Sequence, residues 1–167
     1  MSRAVLSIGS NLGDRFGRLQ AAVAAAGAAV RAVSPVYETA PVGGVRQDDF
    51  LNAIVVVDAA DVDARGWLDR ARALEAAAGR RRPVRWGPRT LDVDIVTVDG
   101  VESADPELTL PHPRAHERAF VLVPWLDVEP DAALPGRGPV RELADRLDRV
   151  GVRRRDDLVL TWESVLR

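Results

Sequence analysis

The chain has no cysteine and no lysine, two histidines and an aromatic content of only 5%. Without cysteine it has no disulfides, thiolate zinc sites, iron–sulfur clusters or thiol nucleophile. Without lysine it has neither a phosphate-loop lysine nor a Schiff-base lysine, and all 23 basic residues are Arg. His112 and His116 alone give a histidine triad or a three-histidine metal site few ways to form. No window approaches the ~18 apolar residues of a membrane span. The N-terminal residues run into a short apolar stretch without a signal-peptide pattern, so a cytoplasmic protein is expected. The net charge of −2 excludes a broadly basic nucleic-acid coat.

What remains is a globular composition: 167 residues, 47% hydrophobic and 29% charged. One domain over residues 1–167 is expected at that length. Residues 4–8 read as a strand that ends in the turn Gly9-Ser10-Asn11. Phe16, Leu19, Val23 and Ala26 are spaced as one helix face, with Gly27 suited to its end. Residues 30–37 read as a second strand, with Pro35 favouring an edge or bulge, and residues 38–49 as a mobile loop. Residues 50–58 read as a third strand. Trp67, Ala71, Leu74 and Ala78 mark a second helix, closed by Gly79. A basic loop over residues 80–86, a strand over 90–98 and an Asp99-Gly100 turn follow. The order β-α-β-β-α-β predicts an α+β sandwich of the ferredoxin-like type, two helices covering one face of an antiparallel sheet. C-terminal additions follow, with helices near residues 114–127 and 139–149 and no assignment from Gly151 onward.

The chemistry concentrates in Arg89-Thr90-Leu91-Asp92-Val93-Asp94-Ile95. On a strand, Leu91, Val93 and Ile95 share the core face, and Asp92 and Asp94 project from the other with Cα atoms about 6.5–7 Å apart. Two carboxylates that close repel each other unless a cation lies between them, and magnesium shared with substrate phosphates is the natural one. A solvated strand face with two ordinary aspartates is the alternative. Upstream lie Arg80, Arg81, Arg82, Arg85 and Arg89. They suit polyphosphate through paired guanidinium donors, or they form a solvated basic loop. Phe50 and Asn52 share a strand face and suit a flat heterocycle, or they serve the core and a loop. His112 and His116 stand four apart, but Pro111 and Pro113 bracket the first, which argues against zinc. That histidine is left as a phosphate donor or a helix cap. A nucleic-acid-binding module is the rival class, and the aliphatic strands count against it.

These residues align with a known pattern. Ile8-Gly9-Ser10-Asn11-Leu12-Gly13, Thr39-Ala40-Pro41, Phe50-Leu51-Asn52-Ala53, the block from Arg85 through Trp86 to Ile95, and Leu110-Pro111-His112-Pro113 with Arg118-Ala119-Phe120 resemble the 6-hydroxymethyl-7,8-dihydropterin pyrophosphokinase family. The resemblance implies transfer of a pyrophosphoryl group from ATP to a pterin alcohol in folate biosynthesis. It implies two Mg2+ ions on Asp92 and Asp94, and Arg80 and Arg89 as catalytic groups at the migrating phosphates. It implies a pterin site of Thr39, Pro41, Val42, Phe50, Asn52 and Phe120. For ATP it implies Glu75, Arg80, Arg82, Trp86, Arg89, Ile95, Thr109, His112 and Arg118, with Arg81 an alternative to Arg82. ATP and the pterin are then the partners of a monomer, with no nucleic acid and no membrane.

Overall fold

A computed structural model describes residues 2–41, 47–79 and 90–162. The central strands are β1 (Ser2–Ser10) and β4 (Phe50–Ala59), paired antiparallel along nearly their whole lengths. Both read as continuous apolar runs, and both are buried on the two faces. β5 (Asp92–Val98) pairs antiparallel with the far side of β1 and forms one edge. On the other side β4 pairs with β2 (Val30–Val33) and then β3 (Tyr37–Thr39). The outermost strand is β10 (Val152–Arg154), beside β3. The architecture is therefore α+β around an antiparallel sheet.

Residues 30–37 form two strands where one is expected. Pro35 has no N–H to donate, so the ladder breaks there. Ser34 bridges the break: its N–H donates to Ile54 O at 2.9 Å, and its Oγ accepts from Ile54 N at 2.8 Å. The predicted loop over 38–49 begins as β3, and residues 42–46 lie outside the described segments.

Helix α1 (Arg15–Ala26) starts at Asp14, which accepts from Gly17 N at 3.0 Å. Helix α2 (Ala64–Ala77) starts at Asp63 in the same way, from Gly66 N at 2.8 Å. Leu19, Val23, Trp67 and Ala71 from these helices pack on Leu6, Ile8, Val55, Val93 and Ile95. Two helices on one face are only half of the cover. A short helical turn (Ala115–Glu117), α3 (Ala119–Val128) and α4 (Val140–Asp145) pack Val121, Leu122, Trp125 and Val140 on Val5, Ile54, Val56 and Val96. The two predicted C-terminal helices are shorter than expected. The first is interrupted at Arg118, whose backbone is extended (φ −112°, ψ 100°), and the second ends at Asp145. Two small ribbons, β6 (Ser103–Asp105) with β7 (Leu108–Leu110) and β8 (Ala133–Leu134) with β9 (Gly138–Pro139), complete the connections.

The unassigned tail acquires structure through charge. Glu38 on β3 is buried, and three guanidinium groups reach it: Arg15 Nη1 at 2.6 Å, Arg153 Nη2 at 2.8 Å and Arg155 Nη1 at 3.2 Å. This cluster ties α1 and the C-terminal strand to β3. Hydrogen bonding from Arg15 holds the Glu38 carboxyl below the ordinary 4.5, against burial and with further help from the arginine charges. A lowered folded-state pKa means that the unfolded chain takes up the proton first as pH falls. The stabilisation is thus complete above pH 4.5 and is lost as pH drops through the folded-state value. Glu38→Gln is expected to lower stability near neutral pH by about 2 kcal/mol, or about 5 °C in Tm, with the gap closing below about pH 4. Thermal melts of both proteins at pH 7 and pH 3.5 check this.

Candidate active site

The site lies on the α3 face of the sheet and follows from strand register. One row of partners runs Arg154–Tyr37–Asn52–Gly9–Asp92 across β10, β3, β4, β1 and β5. Next to it, Ile54, Ser7 and Asp94 form a second row, and Phe50, Thr39 and Val152 a third. Register partners project to one face, so Phe50, Asn52, Asp92 and Asp94 share a floor. Leu91, Val93 and Ile95 point to the opposite layer and are buried there. The alternation inferred on β5 therefore holds over these residues.

Gly9 sits between Asn52 and Asp92 in the first row. A Cβ there would come within 2.8 Å of Asn52 Oδ1 and 3.5 Å of Phe50 Cδ1. The missing side chain opens the floor between Asn52 and Asp92. Asn52 is buried, and its Nδ2 donates to Thr39 Oγ1 at 2.7 Å, which orients the carboxamide. Above the floor lies a cavity of about 410 Å³, lined by Phe50, Asn52, Asp92 and Asp94 below and Phe120 and Arg118 above. Thr39 and Ala40 line one end.

Arg118 links the two halves of the cavity. Its guanidinium carbon lies 5.5 Å from the centre of the Phe120 ring, and Nη1 is 3.5 Å from Asp94 Oδ2. The extended backbone at Arg118 lets both neighbours face the cavity, since residues 118 and 120 flank the start of α3. Asp94 thus already carries a cation beside it. That is the chemistry a divalent ion would find: two carboxylates on one face, next to an open cavity. Among the described residues no three acidic, histidine or cysteine side chains cluster as a cation site. An ion held here takes its remaining ligands from water and substrate oxygens, as magnesium does.

His112 is positioned by its backbone, whose N–H donates to Val96 O at 2.8 Å on β5. Its Nδ1 accepts from Arg114 N at 3.1 Å. Burial pushes the imidazole down to about 4, with Arg118 acting in the same direction and Asp92 opposing. The ring is therefore neutral near pH 7, with its proton on Nε2 as a donor.

Of the expected ATP residues that are described, only Arg118 lines this cavity; His112 and the others stand apart from it. Glu75 is buried in α2, and its Oε2 accepts from Val93 N at 3.0 Å, joining α2 to the edge strand β5. Ile95 belongs to the core layer under α1 and α2. Thr109 Oγ1 donates to Asp105 O at 2.9 Å within the β6–β7 ribbon. Pro41 follows the cavity wall at Ala40 without lining it. Val42, Arg80, Arg81, Arg82, Arg85, Trp86 and Arg89 lie outside the described residues. Ser7, Gly9, Arg114 and residues 150–152 line the cavity without having been singled out for it. Gly9 had a local signal, a glycine alternating with Ser7 on a strand. Residues 150–152 had none, because their place depends on pairing with a strand more than a hundred residues earlier.

The family model described as 7,8-dihydro-6-hydroxymethylpterin-pyrophosphokinase (HPPK) matches residues 5–130. A 2-amino-4-hydroxy-6-hydroxymethyldihydropteridine pyrophosphokinase from Mycobacterium leprae is 54% identical over 160 residues, covering 90% of this chain and 82% of its own. Its namesake from Methylorubrum extorquens is 43% identical, covering 92% and 99%. Among solved structures, a Plasmodium falciparum HPPK-DHPS variant with STZ-DHP matches with a TM-score of 0.67 at 13% identity, over 87% of this chain. The chain spans 45% of that longer protein, and the likeness there is one of fold. From the family match and the identities together, the chain belongs to the 7,8-dihydro-6-hydroxymethylpterin-pyrophosphokinase family.

Proposed function

We infer that the protein transfers the pyrophosphoryl group of ATP to the hydroxymethyl group of 6-hydroxymethyl-7,8-dihydropterin, giving AMP and the pterin diphosphate, a step of folate biosynthesis. One observation carries the reading within this family. A carboxylate pair shares one sheet face with a carboxamide and an aromatic ring, beneath a cavity roofed by a second ring. The flat pterin lies between Phe50 and Phe120, where apolar area and ring stacking favour it. Asn52, held by Thr39, reads its polar edge with the carbonyl that remains available for an N–H donor. The family resemblance adds Pro41 and Val42 to the pterin contacts.

The pterin hydroxyl attacks the β-phosphorus in this scheme, and AMP leaves. Asp92 and Asp94 would hold the two magnesium ions the resemblance implies. Magnesium bound there would supply charge neutralisation and lower the pKa of a coordinated hydroxyl. Arg118 is within reach of the same phosphates and exchanges Asp94 for them. Neutral His112 donates from Nε2 to a phosphate oxygen. Contacts of Glu75, Ile95, Thr109, Arg82 and Trp86 with the nucleotide are what the family resemblance adds to this scheme. Arg80 and Arg89 stabilise the charge on the migrating group, since phosphoryl transfer depends chiefly on positioning and charge stabilisation.

The strand order β3-β4-β1-β5, with α1 and α2 on one face, supports a ferredoxin-like reading of the central unit. No helix among the described residues is long and apolar enough to cross a membrane. A cytoplasmic monomer is the working unit in this reading. Protein mixed with Mg-ATP and the pterin alcohol should release AMP and pterin diphosphate in equal amounts. ADP as the only nucleotide product would point to a different phosphotransfer. No nucleotide product at all would reduce the protein to a binding module.

A further inference from the structure

We propose that the C-terminal strand β10 and the turn before it are a specificity-determining wall of the pterin site, with Val152 and Val150 as its contact residues. The proposal rests on the pterin reading above and adds to it a segment for which that reading has no role.

Val152 is the register partner of Thr39, which is in turn the partner of Phe50, so the three side chains form one row on the cavity face. Val150, Gly151 and Val152 all line the cavity. The segment is built rather than draped. Asp148 Oδ1 accepts from Val150 N at 2.8 Å, and Val152 N donates to Arg149 O at 3.1 Å. Gly151 takes a left-handed conformation (φ 84°) that turns the chain into the strand. Beyond the strand, Arg155 N donates to Val36 O at 2.8 Å. Alternation then sorts the side chains. Val152 faces the cavity, and Arg153 turns to the opposite face, where it meets Glu38 at 2.8 Å.

The charge cluster on one face of β3 therefore holds an apolar wall on the other. Val150 is 88% exposed. A flat ring lodged between Phe50 and Phe120 has its rim at this wall, and covers both valines there. Thr39, in the same row, is the anchor of Asn52, so the wall also limits how far the ring moves along the floor. The prediction concerns the pterin and not the nucleotide, because three strands separate β10 from Asp92 and Asp94 on β5.

The experiment uses full-length Val152→Ala, Val152→Trp and Arg153→Ala. Affinity for the pterin alcohol is measured by fluorescence titration with a non-hydrolysable ATP analogue present, and KM is measured for each substrate. Loss of two methyl groups in Val152→Ala should weaken pterin binding about five- to tenfold. Val152→Trp should weaken it more by filling the space. Arg153→Ala, which loosens the strand without touching the cavity, should weaken it about two- to threefold. In all three the KM for Mg-ATP should stay within twofold, and kcat at saturating pterin should stay near the wild-type value. Val152→Ala should also gain relative affinity for a pterin bearing an extra methyl on the ring. Unchanged pterin affinity in both Val152 variants would overturn the proposal. So would equal weakening of both substrates, which marks a general loss of structure. A wild-type protein that binds pterin without releasing AMP defeats the reaction reading and leaves the wall test intact, because affinity is read without turnover. A wild-type protein that binds no pterin overturns both.

Discussion

Asp94→Ala is expected to lose at least about a thousandfold in kcat, close to 4 kcal/mol of transition-state stabilisation, while keeping its fold. The argument is electrostatic. A triphosphate brings several negative charges to a site whose floor carries two more. Asp92 and Asp94 sit on alternate positions of one edge strand, facing the same cavity. Without cations between them, these carboxylates would repel the substrate. Asp94 is additionally the partner of Arg118 at 3.5 Å, so its loss also frees the guanidinium from its place above the Phe120 ring. The side chain is not part of either hydrophobic core, which is why thermal stability should change by no more than a degree or two. Circular dichroism melts and an AMP-release assay with varied magnesium separate the two effects. Near-normal turnover at low magnesium would remove the carboxylate pair from the chemistry.

Gly9→Ala is expected to impair pterin binding about as severely as Asn52→Ala, by about 10–100-fold, although residue 9 presents no polar group to the ligand. The physical reason is the close approach across the β1–β4 ladder. A methyl at position 9 would meet Asn52 Oδ1 at 2.8 Å, nearer than packed atoms tolerate. The backbone of β1 cannot retreat, because it is paired on both sides. The carboxamide must swing instead, giving up the 2.7 Å bond from Nδ2 to Thr39. A recognition group left misaligned or unpaired costs about 1–3 kcal/mol. Since both changes act through one carboxamide, their effects should not add. Pterin affinity of the Gly9→Ala/Asn52→Ala double variant should match that of Asn52→Ala alone within about twofold. Additive losses would mean that Gly9 acts on something other than Asn52.

Much of this site was readable before any coordinates. A period of two places Leu91, Val93 and Ile95 on one face and Asp92 and Asp94 on the other, and the core assignment follows that alternation. Both capped helices were visible in the spacing of Phe16 to Ala26 and of Trp67 to Ala78. Local signals failed where pairing rather than propensity decided the outcome. Pro35 marked a break, but only the ladder shows that Ser34 replaces the missing bond to Ile54. Glu75 is assigned to ATP only by the family resemblance, and its buried bond to Val93 N shows a fold-holding task.

The sequence by itself determined the principal strands and helices up to residue 98, the carboxylate pair and the family, because each motif that carries them is a short local pattern. Tertiary structure alone decided which residues meet across strands. It set the row from Asn52 through Gly9 to Asp92, the double cover of the sheet, and the seating of Val152 beside Thr39. Such contacts join positions up to 117 residues apart, as from Tyr37 to Arg154. They are chosen by hydrogen-bond register and by where buried charge finds its partners, which no local window of sequence contains.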